Sequence, residues 1–277
     1  KAPCELATAD MDAIRTSMFK AGKSAQTVKH ALALVKRIIR FGVKRGMTPM
    51  PDSSRLCIEL PKVDNVKTEV LTPAQLAALL RALNEEDDPL LTGLVRLAMC
   101  TGMRRGSLLG LQWKDIDFST NLLYVNKTIQ SNIANFNGEH GKNTTYNRLK
   151  ESTKTEAGVR VIKLNENALW YINELKEYDK RKRIVSNNIC CTKEGTLVTS
   201  RNLQRSLDRI VKRTGIEKRV TLHTLRHTFG STLLRRGVNI AVVSKIMGHA
   251  NITITMKKYI HVLQEEEVKA MNMVKVC

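Results

Sequence analysis

One stretch, from Thr221 to Val262, constrains what this chain can be more than any other part of the sequence. Among segments with the pattern of amphipathic helices, it places His223, Arg226, His249 and Tyr259. Arginine binds two phosphate oxygens through a planar fork that keeps its charge, and histidine transfers protons near neutral pH. A tyrosine hydroxyl beside such groups can act as a nucleophile. The stretch therefore predicts a site for phosphate chemistry, with Tyr259 as its nucleophile.

The net charge indicates the kind of phosphate. The 277 residues carry 46 Lys and Arg against 26 Asp and Glu, a formal charge of +20, and such an excess favours a nucleic-acid partner over a merely solvated basic surface. Aromatic residues make up only 4% of the chain, which argues against recognition of single strands by base stacking. The length and a hydrophobic content of 42% allow two domains with real cores.

The cysteines and the hydropathy predict the compartment. No pair of cysteines has the CxxC spacing of a zinc site, so free thiols in a reducing, cytoplasmic setting are the simplest interpretation. The six cysteines are Cys4, Cys57, Cys100, Cys190, Cys191 and Cys277. No apolar run has the roughly 18 residues of a membrane span, and no signal peptide is visible. Because the chain starts at Lys1 instead of Met, we expect a fragment or a processed product.

Residues 1–64 are predicted to form a small helical domain. Ser24 is a suitable N-cap for a helix that runs to about Arg45, and apolar residues at helical spacing give that helix one buried stripe. Its other face is basic, which we interpret as a contact with DNA phosphates that positions DNA without reading its sequence. The residues of this face are Lys29, Lys36, Arg37, Arg40, Lys44 and Arg45.

A linker separates this domain from a second one. Residues 46–70 are polar and contain three prolines, which predicts an extended linker. We assign residues 65–71 to the last part of this linker. The second domain is expected to span residues 72–277. The run Thr72-Pro73-Ala74-Gln75 opens its first helix, with threonine as the N-cap, proline at the first helical position and glutamine completing a capping box.

The second domain is predicted to combine helices with a small antiparallel sheet. Asp88-Pro89 opens a helix that Gly102 ends, directly before Arg104. Two segments favour strands, with a long exposed loop or hairpin tip between them. These segments are 122–129 and 158–164, and the loop is 132–148. Further helices are predicted at 166–182, at 200–213 and, as a short helix, beyond Tyr259.

Several short runs together resemble the tyrosine recombinase (phage integrase) family. The runs are CTGMRRG at 100–106, HTLRH at 223–227, GH at 248–249, and the tyrosine at 259. The order Arg, Lys, His-x-x-Arg, His, Tyr is the signature of that family, and the resemblance extends over essentially the whole chain. It implies an integrase-type, site-specific recombinase of a mobile element. Such an enzyme cuts and rejoins DNA strands through a covalent 3′-phosphotyrosyl intermediate and needs neither metal nor nucleotide cofactor.

The resemblance also implies which residues handle the phosphate. Arg104 and Arg226 would bind the scissile phosphate, and Tyr259 would attack it. His249 would donate a hydrogen bond to the phosphate oxygens. Arg105 has the same chemistry as its neighbour, and the register of the motif favours Arg104.

Two further positions would move protons if the resemblance holds. His223 would accept or relay the proton of the tyrosine, and Lys154, in the run STKTEAGVRVIKL, would protonate the leaving 5′-oxygen. Lys150 is a neighbouring candidate that fits the motif less well. His223 and His227 are four residues apart, which permits metal binding on one helix face, but the chain lacks a HExxH glutamate and an obvious third ligand. We therefore predict no metal, and a structural contact for His227.

One position departs from the family pattern. Many members carry an acid three residues after the first arginine, and this chain has Ser107 there. The departure keeps one alternative open, a DNA-binding accessory protein of the same fold with weak or no activity. A second alternative is an enzyme like a topoisomerase that uses phosphotyrosine chemistry on a single duplex.

The fold class that follows is mainly α with a small antiparallel β-sheet. The resemblance implies a two-domain clamp on double-stranded DNA, made of a helical core-binding domain and a catalytic domain. It further implies a homotetramer on two DNA sites, in which the C-terminal tail after Val262 docks on a neighbour. Accessory DNA-bending proteins and a nucleoid-associated location are part of the same expectation.

Overall fold

The computed structural model describes residues 2–51, 56–62, 69–134, 144–150 and 159–273. The chain divides into two compact units, residues 1–66 and 67–277. None of the described helices is long and apolar enough to cross a membrane. The described cysteines form no disulfide bonds.

The first unit is built on two helices, α1 (Thr8–Lys20) and α2 (Ala25–Lys44). They pack on each other around Met11, Val28 and Leu32, which are almost fully buried. The side chain of Ser24 accepts a hydrogen bond from the backbone N–H of Thr27, so the predicted N-cap is confirmed. The residues of the basic face divide by exposure. Lys29 and Lys36 are half-buried, whereas Arg37, Arg40, Lys44 and Arg45 are exposed.

The described parts of the linker, 46–51, 56–62 and 69–70, contain no helix or strand. The second unit then follows with eight helices in the part of it that the structure describes. They are α3 (Pro73–Asn84), α4 (Pro89–Thr101), α5 (Arg105–Leu109), α6 (Glu166–Lys182), α7 (Ser200–Lys212), α8 (Leu222–Arg235), α9 (Ile240–Met247) and α10 (Ile252–Met273). The predicted capping box at Thr72 and the N-cap at Asp88 are confirmed.

Helix α4 is the centre of the second unit. It packs against α6, α7 and α8, and its leucines Leu91, Leu94 and Leu97 are almost completely buried. Each such side chain contributes about 1.5–3 kcal/mol to folding when it leaves water. Because α4 is anchored on three sides, its C-terminal end at Gly102 is a fixed point, and the site described below is built on it.

The strands form two separate sheets. A three-stranded antiparallel sheet has the order β1 (Ile116–Asp117), β2 (Leu122–Val125), β5 (Arg160–Lys163). A second, two-stranded antiparallel sheet pairs β3 (Thr128–Ala134) with β4 (Thr144–Lys150). The predicted small antiparallel sheet is confirmed, and the bounds of its strands and of the loop between them need correction.

The segment 122–129 is not one strand, because it contains the end of β2 and the start of β3. The chain leaves the three-stranded sheet after Val125, and the buried ammonium of Lys127 forms an ion pair with buried Asp115. A charge out of water needs such a partner, so this residue turns inward and separates β2 from β3. The predicted loop at 132–148 is wrong at both ends, because its termini belong to β3 and β4. Only its middle, 135–143, lies outside the described residues.

The tail after Tyr259 is helical, as predicted. It is the second part of α10, which is interrupted by a kink at Tyr259 and then runs to Met273. Val262 and Leu263 pack in the same apolar cluster as Tyr259, together with Val243. Residues 252–273 contain neither glycine nor proline, so no helix-breaking residue type interferes with the segment after the kink, and the packing of its apolar face stabilises it.

Candidate active site

The turn after α4 positions the first arginine. Gly102 ends the helix with φ 58° and ψ 24°, a left-handed conformation that favours glycine. Phe229 of α8 also occupies the space that a side chain at Gly102 would need. The turn leaves Arg104 at the N-cap of α5, where its Nη2 donates a hydrogen bond to the carbonyl oxygen of Gly248 at 2.5 Å.

Arg226 lies in the interior of α8, and its side chain is only 3% exposed. Its Nη1 donates to the carbonyl of Gly102 and its Nη2 to the carbonyl of Met247, both at 2.5 Å. The guanidinium therefore joins the C-terminal ends of α4 and α9, where helix dipoles favour a cation. Burial, and then the charges of Arg104 and Arg160, lower the pKa of Arg226 to about 9.

His249 directly follows the end of α9. Gly248 closes that helix in the left-handed region, at φ 64° and ψ 49°. The Nδ1 of His249 lies 2.7 Å from the hydroxyl oxygen of buried Thr255, so the ring is held by the first turn of α10. Burial, and then the charges of Arg226 and Arg104, lower the pKa of His249 to about 3. The ring is therefore neutral at physiological pH.

Tyr259 is turned into the protein and is fully buried. Its φ of −115° and ψ of 19° break the regular geometry of α10. The hydroxyl donates to the sulfur of Met247 at 3.3 Å and lies 3.2 Å from Nδ1 of His227. Gly230 lies beneath the ring, where a Cβ would be 2.5 Å from the tyrosine oxygen. Burial raises the pKa of the phenol far above its ordinary value, an effect that the charge of Arg226 partly offsets.

The two histidines of α8 have different surroundings. His223 is exposed on the first turn of the helix, and partial desolvation followed by the charge of Arg226 lowers its pKa. His227 lies one turn further, and its ring centroid is 6.0 Å from that of Tyr259. The predicted structural contact of His227 is thus made to the phenol itself. In this arrangement it is His227, and not His223, that has a hydrogen-bonding contact with the tyrosine.

The structure brings most of the predicted site residues to one place. Arg104, Arg226 and His249 meet at the C-terminal end of α9, with His223 close enough for their charges to act on it. Lys154 falls outside the described residues. Lys150 ends β4 as an exposed residue. The basic face of α2 belongs to the other unit.

Two cations of the same region were not predicted from the sequence. Arg160 of β5 donates from Nε to the carbonyl of Ile246 at 2.7 Å. Burial, and then the charge of Arg104, lower its pKa to about 10. Lys258 precedes the tyrosine, and its pKa is lowered by burial and then by the charges of Arg226 and Arg104. Nothing in the sequence marks either residue, except that Arg160 is a basic residue in a strand.

The sequence model of the phage integrase family matches residues 69–266, most of the second unit and well over half of the chain. The chain belongs to the phage integrase family. It is thus a tyrosine recombinase, an enzyme of site-specific DNA breakage and rejoining, as the motifs predicted. The predicted fold class is confirmed as well.

Curated relatives agree with this assignment, and solved structures share the fold. A XerC-like tyrosine recombinase of Caldanaerobacter subterraneus subsp. tengcongensis is 27% identical over 270 residues, covering 92% of this chain and 67% of the relative. The integrase of Staphylococcus phage L54a is 26% identical over 87% of this chain and 72% of its own. The fold resembles that of the Tn1549 transposon integrase in complex with a circular intermediate DNA, with a TM-score of 0.75 and 21% identity over 96% of this chain and 86% of that one. A lambda integrase dimer bound to a core site has a TM-score of 0.65 and 18% identity, over 93% and 82% of the two chains.

In this tyrosine recombinase, Ser107 is buried on α5, one turn after Arg104. The side chain at this position is neutral, where many family members carry an acid.

The recombinase is expected to lose stability in acid because of half-buried His227, whose ring is neutral in the folded protein. Burial, followed by the charge of Lys258, lowers the pKa of His227 to about 4. The ordinary value is about 6.5, so between these values the unfolded chain binds a proton that the folded chain does not. Stability is therefore full above about pH 6.5 and falls as the pH drops toward 4.

The measurement is the melting temperature from pH 7.5 to 4.5, for wild type and for His227→Asn. Asparagine offers a polar atom near the position of Nδ1 but does not titrate in this range. We expect a smaller acid-induced decrease in the variant, relative to its own value at pH 7.5. An equal decrease in both proteins would show that His227 does not contribute.

Proposed function

We propose that this recombinase moves a mobile element by cutting and rejoining DNA through a covalent 3′-phosphotyrosyl intermediate on Tyr259. The observation that carries the proposal is the meeting of Arg104, Arg226 and His249 at the C-terminal end of α9. Tyr259 lies on the helix that follows. Two arginines and a neutral histidine beside a tyrosine are the groups that transfer of a phosphodiester to a side chain requires.

The arginines supply the electrostatic part of the reaction. As the tyrosine oxygen approaches phosphorus, negative charge grows on the two non-bridging oxygens, and guanidinium N–H groups stabilise it. Arg226 donates hydrogen bonds to two backbone carbonyls, so the orientation of its guanidinium group is fixed before DNA binds. His249, neutral and held by Thr255, donates a hydrogen bond to one of these oxygens through Nε2.

The bond changes balance without a cofactor. A bond forms between the Tyr259 oxygen and phosphorus, and the bond from phosphorus to the 5′-oxygen breaks. His223 accepts the phenolic proton and Lys154 gives a proton to the leaving 5′-oxygen. Attack by a 5′-hydroxyl of the partner strand reverses these steps and rejoins the DNA. The phosphotyrosyl ester conserves the energy of the broken bond.

The tyrosine must leave its buried position before it can react. Its hydroxyl contacts Met247 and His227, and burial holds the phenol in its protonated form. We infer that assembly on DNA repacks α10 and turns Tyr259 toward the arginines. His227 holds the phenol in the resting state, and His223 takes the proton in the reacting one.

The tail supplies a means of coupling this movement to assembly. Val262 shares an apolar cluster with Tyr259, and Arg235 of α8 donates to Glu265 at 3.2 Å. Exchange of the tail between protomers would break both contacts and free the tyrosine. We propose a tetramer on two duplex sites with such an exchange, assisted by DNA-bending proteins, in the cytoplasm at the nucleoid. The exposed cations of α2 contact the phosphate backbone.

Covalent trapping tests the proposal. The protein is mixed, without metal and with EDTA, with nicked duplexes from the ends of its host element, and adducts are separated on a denaturing gel. A nick lets the cleaved piece diffuse away, so the intermediate accumulates. We expect an adduct with wild type and with Tyr124→Phe, which alters an exposed tyrosine of β2, and no adduct with Tyr259→Phe.

The other outcomes separate the alternatives. Sequence-specific binding with no adduct would favour the DNA-binding accessory protein. Cleavage and rejoining on one duplex, with no need for a second site, would favour the activity of a topoisomerase. An adduct that persists in Tyr259→Phe would contradict the assignment of the nucleophile.

A further inference from the structure

The C-terminal end of α9 holds three arginines on three successive carbonyl groups. Arg160 donates to Ile246, Arg226 to Met247 and Arg104 to Gly248. The last carbonyls of a helix lack partners within the helix and carry the negative end of its dipole. One helix end therefore collects cations from three different elements, β5, α8 and the N-cap of α5.

The third of these, Arg160, is placed by the register of β5. Its strand pairs with β2 so that Arg160 lies opposite Val125. Arg160 and Ile162 are on the inward face, whereas Val159 and Val161 are about half exposed. The side chain of Arg160 reaches across to α9 and lines an open cavity of about 640 Å³ together with Gly248, His249 and Asn251.

Three guanidinium groups in one place repel each other. The charge of Arg104 lowers the pKa of Arg160, and the charges of Arg104 and Arg160 lower that of Arg226, in each case after burial. The carbonyls of α9 offset part of this repulsion. An anion would offset more of it, because guanidinium groups form strong, charge-assisted hydrogen bonds to phosphate oxygens.

We propose that Arg160 is a third phosphate-binding arginine of this active site, oriented by the Ile246 carbonyl and directed at the scissile phosphodiester of DNA. The inference rests on the proposed function, whose catalytic arginines are Arg104 and Arg226. It adds a residue whose charge acts on the same phosphate. The Nε bond to α9 fixes the plane of the guanidinium, as the two carbonyl bonds do for Arg226.

The test is a double-mutant cycle between the protein and the DNA. Binding is measured in the Tyr259→Phe background to the duplex identified by trapping, with either a phosphate or a neutral methylphosphonate at the cleaved position. We expect Arg160→Gln to weaken binding of the phosphate duplex about fivefold or more, and binding of the methylphosphonate duplex less than about twofold. The control is Lys163→Gln, which removes one positive charge from the same strand, at a side chain that donates to the carbonyl oxygen of Thr120. It should change the affinity for the two duplexes by the same factor.

Arg160→Lys completes the series. Lysine keeps the charge but lacks the guanidinium group, which can bond to the Ile246 carbonyl and to a phosphate at the same time. Arg160→Lys should therefore recover part of the affinity for the phosphate duplex. If Arg160→Gln does not fold, the same cycle is measured with Arg160→Lys, with a smaller coupling expected. An equal loss on both duplexes would leave Arg160 as a link between β5 and α9 and would overturn the proposal.

A second measurement keeps this inference separate from the proposed function. If wild type forms no adduct with any duplex, the proposed nucleophilic chemistry fails. The anion site is then tested by measuring melting temperatures with and without inorganic phosphate, at constant ionic strength. Phosphate should raise the melting temperature of wild type and of Lys163→Gln, and should raise that of Arg160→Gln by less than half as much. No stabilisation of wild type, or equal stabilisation of all three proteins, would overturn the assignment of Arg160.

Discussion

Arg226→Gln is expected to slow covalent trapping by at least about 10³-fold while the protein still folds. Arg226 is nearly fully buried and joins the carbonyls of Gly102 and Met247. Glutamine removes the charge that, in the proposed mechanism, stabilises the phosphate, and also the guanidinium that bonds to both helix ends. A loss of one preorganised donor costs about 10²–10³ in rate, and here the cation is lost as well.

The same substitution has a smaller effect on stability, because two contributions oppose each other. Leaving two buried carbonyls without their donor costs about 1–3 kcal/mol each. Relief of the repulsion that Arg104 and Arg160 exert on Arg226 offsets part of that cost. We therefore expect a decrease of only about 1–3 kcal/mol in the free energy of unfolding.

Single-turnover rates on the nicked duplex and chemical denaturation measure the two effects. The matched control is Arg209→Gln, which removes an exposed arginine from an ion pair with Glu86. Exposed pairs contribute about 0–1 kcal/mol, so the control should keep its trapping rate. Arg226→Lys keeps the charge but cannot reach both carbonyls. Its trapping rate should lie between those of wild type and Arg226→Gln. A rate within tenfold of wild type for Arg226→Gln would contradict the role of this residue.

Gly230→Ala is expected to destabilise the resting state by about 1–3 kcal/mol and to expose Tyr259. A methyl group at this position would lie 2.5 Å from the tyrosine oxygen and 2.8 Å from the sulfur of Met247. Both distances are far below contact, so either the ring or the helix must move. Since α8 is held through Arg226 and through the bond from the Leu71 N–H to Thr228, the ring is the part that yields.

Thermal unfolding and modification of Tyr259 by N-acetylimidazole, located by mass spectrometry, measure these effects. The control is Ser231→Ala, the next residue on α8. The Ser231 hydroxyl is buried and has no partner among the described residues, so its removal should be neutral or should stabilise by about 1 kcal/mol. If Gly230→Ala is as stable as wild type and its tyrosine reacts no faster, then Tyr259 is not packed against α8 in solution.

The sequence alone determined the family and the local structure. The helix starts at Ser24, Thr72 and Asp88 and the helix end at Gly102 were all predictable. Each of these features depends on one residue that caps a helix end. Its side chain or its backbone conformation satisfies the hydrogen bonds of backbone groups only a few residues away. The order of the residues that we propose to bind the phosphate was also visible in the sequence, because the spacing of residues along the chain does not depend on folding.

Long-range packing decided the rest. The sequence predicted a single strand at 122–129, because it does not indicate that Lys127 turns inward to Asp115. The alternation of apolar and basic residues in β5 did not identify Arg160, because the register with β2 puts the valines outside and the arginine inside. The helix after Tyr259 was predicted, whereas the kink at Tyr259 and the packing of Val262 in the same apolar cluster were not.

The surroundings of Tyr259 were likewise a tertiary property. The sequence predicts that Tyr259 is the nucleophile, whereas only its packing on Gly230, Met247 and His227 shows that it is buried. Chemistry is encoded by the type of a side chain and its neighbours in sequence. Exposure, hydrogen-bond partner and pKa depend on groups that are distant along the chain, and these come together only when the protein folds.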